Sequence, residues 1–440
     1  MNADYLDQAL DSVTKKLRTP QVRGRVVHAV GTLVKAAGVT ARIGDACMFI
    51  NPGDDWQLEA EVVGVARDEL LLMPFGELTG ISAQTHVMHL GGAPHIEVGS
   101  HLLGQVLDGF GKPAKEIRSK HDVQRYPIQA AAPDPLRRRA VNELMPTGVR
   151  AIDAALACGK GQRIGIFAPA GAGKSTLLSM IAQGTQSDVN VLALIGERGR
   201  EAGEFLQHLA RSGKMQKTVC IVATSDRSAA ERAKAPCVAM AIAEYFRDQG
   251  KSVLLMMDSV TRYARALREI GLAAGEPPTR RGYPPSVLTA LPRLFERAGQ
   301  NERGAITGFF TVLVEDDAGG DPIGEEVRAT LDGHIVLSPK MADENFYPAI
   351  DILASRSRVM RQVASTGHFR QAGVLRELLH KYQSIEMLLQ MGEYQTGSDA
   401  MADHAIQTRD DVRRFLRQHT EDSSPLAKTL ADLAQIAEGI

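Results

Sequence analysis

The stretch FAPAGAGKSTLL, Phe167 to Leu178, follows the apolar run RIGIF and continues into the helix-forming TLLSMIAQG. A strand, a tight turn of small residues and a helix, in that order, aim successive backbone N–H groups at one point, which is how a P-loop cradles phosphates. Gly171 and Gly173 let the backbone approach closely, Ala170, Ala172 and Thr176 complete the cradle, Lys174 is the cation and Ser175 the Mg²⁺ ligand. Ala168 stands where the stricter motif has its first glycine, and Pro169 follows it. Alanine resists positive φ and proline biases its predecessor toward extended geometry, so the turn is expected to start from a β-like residue.

Such a unit needs a parallel sheet covered on both faces, and the sequence supplies one. RIGIF, NVLALIG, TVCIVAT and SVLLMMD are short apolar runs separated by roughly 20 to 30 residues of helical pattern. The expectation is an α/β nucleotide-binding core over residues 93–365. Before it, residues 21–92 carry short β-rich runs (VRGRVVHAV, ACMFI, LEAEVVGV, ELLLMPF) broken by Gly, Pro, Asn and Asp, the texture of a small β-barrel. After it, residues 366–440 carry no strand signal. Leu375, Leu378, Leu379, Tyr382, Ile385 and Leu389 recur at helical spacing, and Ser424–Pro425 reads as an N-cap with a first-turn proline, so a helical C-terminal domain is expected. Residues 1–20 hold a short amphipathic segment, Leu6, Leu10, Val13 and Leu17, that reads first as a solvated or loosely docked helix and second as a docking element for a partner or membrane surface.

A P-loop that hydrolyses its nucleotide needs acidic groups at neighbouring strand ends. Asp258 closes SVLLMMD and is the expected second Mg²⁺ ligand, and Glu197 ends NVLALIGER, placed to orient a water or to pair with an adjacent arginine. Arg198 beside it is a candidate for phosphate oxygens, as is Arg262 in DSVTRYA. ATP and Mg²⁺ are therefore the expected cofactors. Formal net charge is -1, and Phe49, Trp56 and Phe75 stand among several acids in the barrel segment, a poor platform for stacking RNA bases. The longest apolar runs are about a quarter of the roughly 20 residues needed to span a bilayer, and the N-terminus lacks a signal peptide's apolar block. At most peripheral membrane contact and a cytoplasmic location are expected. Four scattered cysteines without CxxC spacing read as reduced and structural.

The blocks IGERGREAGEF, ATSDRSAAERAKAP, LLMMDSVTRYARALREIGLAAGEPPTRRGYPPSV and YPAIDILASRSRVM resemble the ATPases of bacterial type III secretion, found in injectisomes and in flagellar export and related to the catalytic subunits of rotary ATP synthases. The GKSTLL continuation is closer to the injectisome branch. The resemblance implies a RecA-like core and a homohexamer at the inner-membrane base of the secretion apparatus. Its implied partners are a stator-like regulator, a central stalk protein, the export gate and chaperone–substrate complexes, with no nucleic acid. The implied work is releasing chaperones and unfolding and energising export of secreted proteins. It also makes Glu197 the catalytic glutamate, Tyr347 of YPAID the ring that stacks on adenine, and Arg358 of SRSRVM an arginine finger reaching a neighbour's site. Arg356 competes with Arg358 for that role, and GEPPTRRGYPP, with Arg280 and Arg281, borders the central pore or forms a rigid surface loop. Two readings of other classes stand beside this one: a hexameric RNA translocase, which also joins a barrel to a P-loop core, and a subunit of an ion-translocating rotary ATPase.

Overall fold

A computed structural model of the chain describes residues 22–117, 122–314 and 320–438. The amphipathic stretch expected near the N-terminus lies outside the described residues. The chain divides into two compact units that meet in sequence at Pro94 and His95.

The first unit is a closed barrel of six antiparallel strands: β1 (Arg23–Val30), β2 (Leu33–Ala37), β3 (Ala46–Ile50), β4 (Gln57–Val65), β5 (Glu69–Pro74) and β6 (His86–His89), in the order β1-β2-β5-β4-β3-β6 with β6 closing on β1. Residues two apart fill its interior: Val34 and Ala36, Cys47 and Phe49, Ala60 and Val62, Leu70 and Leu72. This is the side-chain period of a strand with one buried face. Phe49 and Phe75 are buried, and Trp56 packs half-buried on the same core.

In the second unit β7 (His95–Val98) and β9 (Gln124–Pro127) form an antiparallel ribbon. The remaining strands make one sheet: β8 (Val106–Leu107), β10 (Arg163–Ala168), β11 (Val189–Ile195), β12 (Thr218–Ala223), β13 (Ser252–Asp258), β14 (Gly299–Gln300), β15 (Ala305–Leu313), β16 (Gly333–Leu337) and β17 (Ile350–Ser357). Its order is β17-β16-β10-β15-β13-β11-β12-β8, with β14 paired to β15; β14 and β17 run antiparallel and the others parallel. All seven residues of β11 are buried, as strands covered on both faces must be.

The four expected runs are β10, β11, β12 and β13, but β10 and β13 are not adjacent. Between them lies β15, AITGFFTVL, whose two threonines and glycine interrupt its apolar pattern. Both threonines are buried because their hydroxyls have partners: Thr307 accepts from Gly161 N–H (2.8 Å) and Thr311 donates to Asp258 (2.6 Å). Three helices close the chain, Thr366–Met391, Ala400–Leu416 and Leu426–Ala437. The last begins one residue later than expected: Pro425 is its cap, and the Ser424 hydroxyl accepts from the Thr429 hydroxyl instead (3.0 Å). Among the described residues no helix is long and apolar enough to cross a membrane, and none of the four cysteines is in a disulfide.

Candidate active site

Ala168 is the last residue of β10, so the turn does start from extended backbone, and Val314 N–H donates to its carbonyl (3.1 Å). Gly171 and Gly173 take φ of 81° and 85°, which a side chain would resist, and the helix Lys174–Gly184 begins immediately after. Gly173 caps this helix without a side-chain hydrogen bond. The first N–H groups of the helix are thus left for an external acceptor, and they carry the positive end of its dipole. Ala170, Gly171 and Ser175 are exposed, Thr176 is half-buried and Ala172 is buried.

Lys174 reaches from the first helical position toward the ends of β11 and β13, adjacent parallel strands in which Leu194 pairs with Asp258. Its Nζ lies 2.6 Å from Asp258 Oδ1 and 2.9 Å from Glu197 Oε1. The three side chains are only 12%, 4% and 8% exposed, so two carboxylates and one ammonium share a nearly dry site. Asp258 Oδ1 also accepts the Thr311 hydroxyl (2.6 Å), delivered by the intervening β15. Burial, and then the Asp258 charge, push the Glu197 carboxyl above its ordinary value against the pull of Lys174 and Arg262. Burial alone would lower the Lys174 ammonium, but Asp258 and Glu197 outweigh it and hold it above the usual lysine value. The lysine therefore stays charged.

Arg262, one turn past Asp258, lies against Gly196, where an added Cβ would come 2.7 Å from the arginine Cδ. Its Nε is 3.6 Å from Glu197 Oε1, an ion pair too long for a hydrogen bond, and this buried N–H has no other acceptor among the described residues. Arg198 does not join the cluster: its side chain is exposed and pairs with Glu201 (3.0 Å). Tyr347 does join the loop, its ring lying over Gly173 so closely that an added Cβ would stand 3.0 Å from Cε1.

Arg358 and Arg356 are exposed at the far edge of the sheet. Ser357 pairs with Gly333 at the start of β16, which aligns with the start of β10, whereas the P-loop leaves its end. At about 3.3 Å per residue, the length of β10 sets Arg358 roughly 17 Å or more along the sheet from its own P-loop. It donates there to Arg328 O (3.1 Å). Arg280 pairs with Glu325 (3.0 Å), and the backbone of Arg281 takes positive φ in the adjoining turn.

A family model described as the ATP synthase alpha/beta family, nucleotide-binding domain, matches residues 148–357, and one described as the T3SS EscN ATPase C-terminal domain matches residues 364–435. The type 3 secretion system ATPase of Xanthomonas euvesicatoria is 54% identical over 98% of both chains. This chain belongs to the type III secretion ATPases of the ATP synthase alpha/beta family. Among other members of this family and its flagellar relatives, the flagellum-specific ATP synthase of Bacillus subtilis is 45% identical over 94% of each chain. The assembled ATPase EscN of the enteropathogenic E. coli type III secretion system superposes with a TM-score of 0.88 at 48% identity, covering 94% of this chain and 100% of that one. EscN in complex with its central stalk EscO gives 0.87 at 47% identity, with the same coverage.

Thr311 belongs to the site although no motif singles it out. The only signal it leaves in the sequence is the apolar run AITGFFTVL, broken by polar residues that the sheet alone shows to be satisfied.

Proposed function

We propose that this ATPase hydrolyses Mg-ATP as the motor of an injectisome-type secretion system. In this reading it works as a homohexamer on the cytoplasmic side of the inner-membrane base, with a stator-like regulator, a central stalk and the export gate as partners, and it releases chaperones from exported proteins and unfolds them. The observation that carries the enzymatic part is Lys174 held between Glu197 and Asp258 beside an uncapped helix start. For assembly and stalk, the support is EscN, which was solved assembled and with EscO. Greater identity to secretion relatives than to flagellar ones, 54% against 45%, supports the injectisome assignment.

The backbone N–H groups of Ala170 to Thr176 receive the phosphates, and Lys174 turns from the carboxylates to the phosphate oxygens. Ser175 and Asp258 hold Mg²⁺. Their hard oxygen donors suit that ion, and their small number is what an ion bound largely by phosphates and water requires. When bound, Mg²⁺ neutralises charge on the phosphates. Glu197 orients a water and accepts its proton as the water oxygen bonds to the γ-phosphorus and the bond to the β–γ bridging oxygen breaks. Its raised basicity suits that role. Tyr347 stacks on adenine, Arg262 meets phosphate through its unused donor, and Arg198 does so only by leaving Glu201. Arg358 acts in trans, because the sheet separates it from its own P-loop.

Replacing Lys174 by Ala in the producing bacterium should leave exported proteins synthesised but retained in the cell. Undiminished secretion would overturn the assignment. RNA-stimulated, strongly salt-dependent hydrolysis by the purified chain would instead favour an RNA translocase.

A further inference from the structure

Tyr347 sits on the short loop Glu344–Pro348, and one stretch at the end of the helix Ala400–Leu416 braces that loop residue by residue. Arg413 pairs with Glu344 (3.1 Å) and its guanidinium lies 5.0 Å from the Phe346 ring centre. Arg417 donates to Asn345 O (3.0 Å), and Gln418 N–H donates to Tyr347 O (2.9 Å).

The Gln418 side chain continues this brace into the core. It is 3% exposed and all its polar capacity on the inner side is engaged: Oε1 accepts from Arg150 N–H (2.9 Å), and Nε2 donates to Gly148 O (2.8 Å) and Asp422 O (2.8 Å). The Thr147–Gly148 turn it holds is itself fixed by the buried Asp153 carboxylate, which accepts from Thr147 N–H (2.8 Å) and Gly148 N–H (2.9 Å). That turn packs on Gly184, the last residue of the helix that starts at Lys174, so tightly that a Cβ on Gly184 would collide with Thr147 O. A closed circuit results: P-loop helix, Thr147–Gly148 turn, Gln418, Tyr347, and back to the P-loop at Gly173. Gln418 is the member of that circuit that bonds both to the turn and to the residue bearing the ring.

We propose that Gln418 is the positioning residue for the base: it touches neither phosphate nor adenine, and it fixes the distance between the Tyr347 ring and the phosphate cradle. The inference rests on the reading of Tyr347 as the adenine-stacking residue. A lost brace leaves the ring free to drift from the loop, so the affinity for the base falls while the phosphate grip persists. Arg413 contributes a weaker part, since its contacts are half-exposed.

The test uses the full-length chain in a double-mutant cycle with Tyr347→Ala and Gln418→Ala, read as KM and kcat for ATP and as the inhibition constant of inorganic tripolyphosphate, which has no base. Gln418→Ala should raise KM for ATP about five- to tenfold, the scale of lost buried hydrogen bonds, with kcat within about twofold and the tripolyphosphate constant unchanged. Adding it to Tyr347→Ala should raise KM no further. Additive effects, an equal loss for tripolyphosphate, or an unchanged KM would each overturn the proposal. If Tyr347→Ala alone leaves KM unaltered, the stacking reading fails and this inference falls with it, an outcome distinct from failure of Gln418 alone. Should Gln418→Ala not fold, Arg413→Ala, at a half-exposed side chain, reads the same brace: a KM rise of about twofold, absorbed by Tyr347→Ala, supports it, and an additive or absent rise overturns it.

Discussion

The phosphate cradle and the Tyr347 loop proposed to receive the base are built on opposite plans. The cradle from Ala168 to Thr176 is one continuous stretch, and the charges facing it stand at the ends of central buried strands. The base end joins parts about 70 residues apart, with Glu344 to Arg413 and Asn345 to Arg417 separated by 69 and 72 positions. Its outer ion pair is 43% and 40% exposed, against 12% or less for Lys174, Glu197 and Asp258. Charges in a dry site interact strongly and tolerate little displacement, whereas a solvated brace can yield at small cost. On the proposed assignment the phosphate grip is therefore stiff, and the base grip takes its position from the C-terminal helices, which hold the Tyr347 loop. Substitutions at the two ends should separate accordingly into losses of kcat and losses of KM.

The sharpest break in that comparison is expected from a residue at neither end of its own site. Arg358→Ala should lower kcat by about a thousandfold or more, the range for arginine fingers elsewhere, with nucleotide binding retained. Glu197→Gln should follow, lowering kcat by about a hundredfold to ten-thousandfold as the proposed proton acceptor is lost, again with ATP still bound. Mixing the two inactive chains discriminates action in trans from action in cis. In a mixed assembly some sites combine an intact Glu197 with a neighbour's intact Arg358, so activity should return. If mixtures stay inactive at every ratio while assembling normally, Arg358 does not serve a neighbour.

The same contrast decides which parts of the site are legible in the amino-acid sequence. The cradle is legible because its chemistry is local: glycines, lysine and hydroxyl must be close in sequence to be close in space, and a strand must precede them. Asp258 and Glu197 are legible because both end apolar runs, and strand ends are where parallel sheets gather ligands. Thr311 is hidden because its strand mixes apolar and polar residues although both faces are buried. Tyr347, proposed to stack on adenine, enters through family resemblance alone, and the proposed role of Gln418 is invisible, because no local pattern records which backbone carbonyl a distant glutamine will meet. Arg198, adjacent to Glu197 in sequence, pairs outward with Glu201 instead, since the helix that starts at Gly199 turns its side chain toward solvent.

Arg262 offers the smallest effect and the finest test of the division. Its positive charge lies beside Glu197 and, with Lys174, lowers that carboxyl, while burial and Asp258 raise it. Replacing Arg262 by Gln removes a lowering influence, so the carboxyl must rise further above its ordinary range. In the proposed mechanism hydrolysis requires the ionised form of Glu197, so the rate falls as pH drops through the range where that carboxyl, already raised, takes up its proton. The acid limb of the kcat profile should consequently move to higher pH in Arg262→Gln, by a fraction of a unit to about one unit, and stay near the wild-type position in Arg262→Lys, which keeps the charge. Gln418→Ala, acting at the base end, should leave the limb where it was. An unmoved limb in Arg262→Gln would show that the arginine does not govern the proton acceptor. A shift in Gln418→Ala would show that the two ends are not independent, because a brace on the base loop could alter Glu197 only by moving the strand ends that carry the charges.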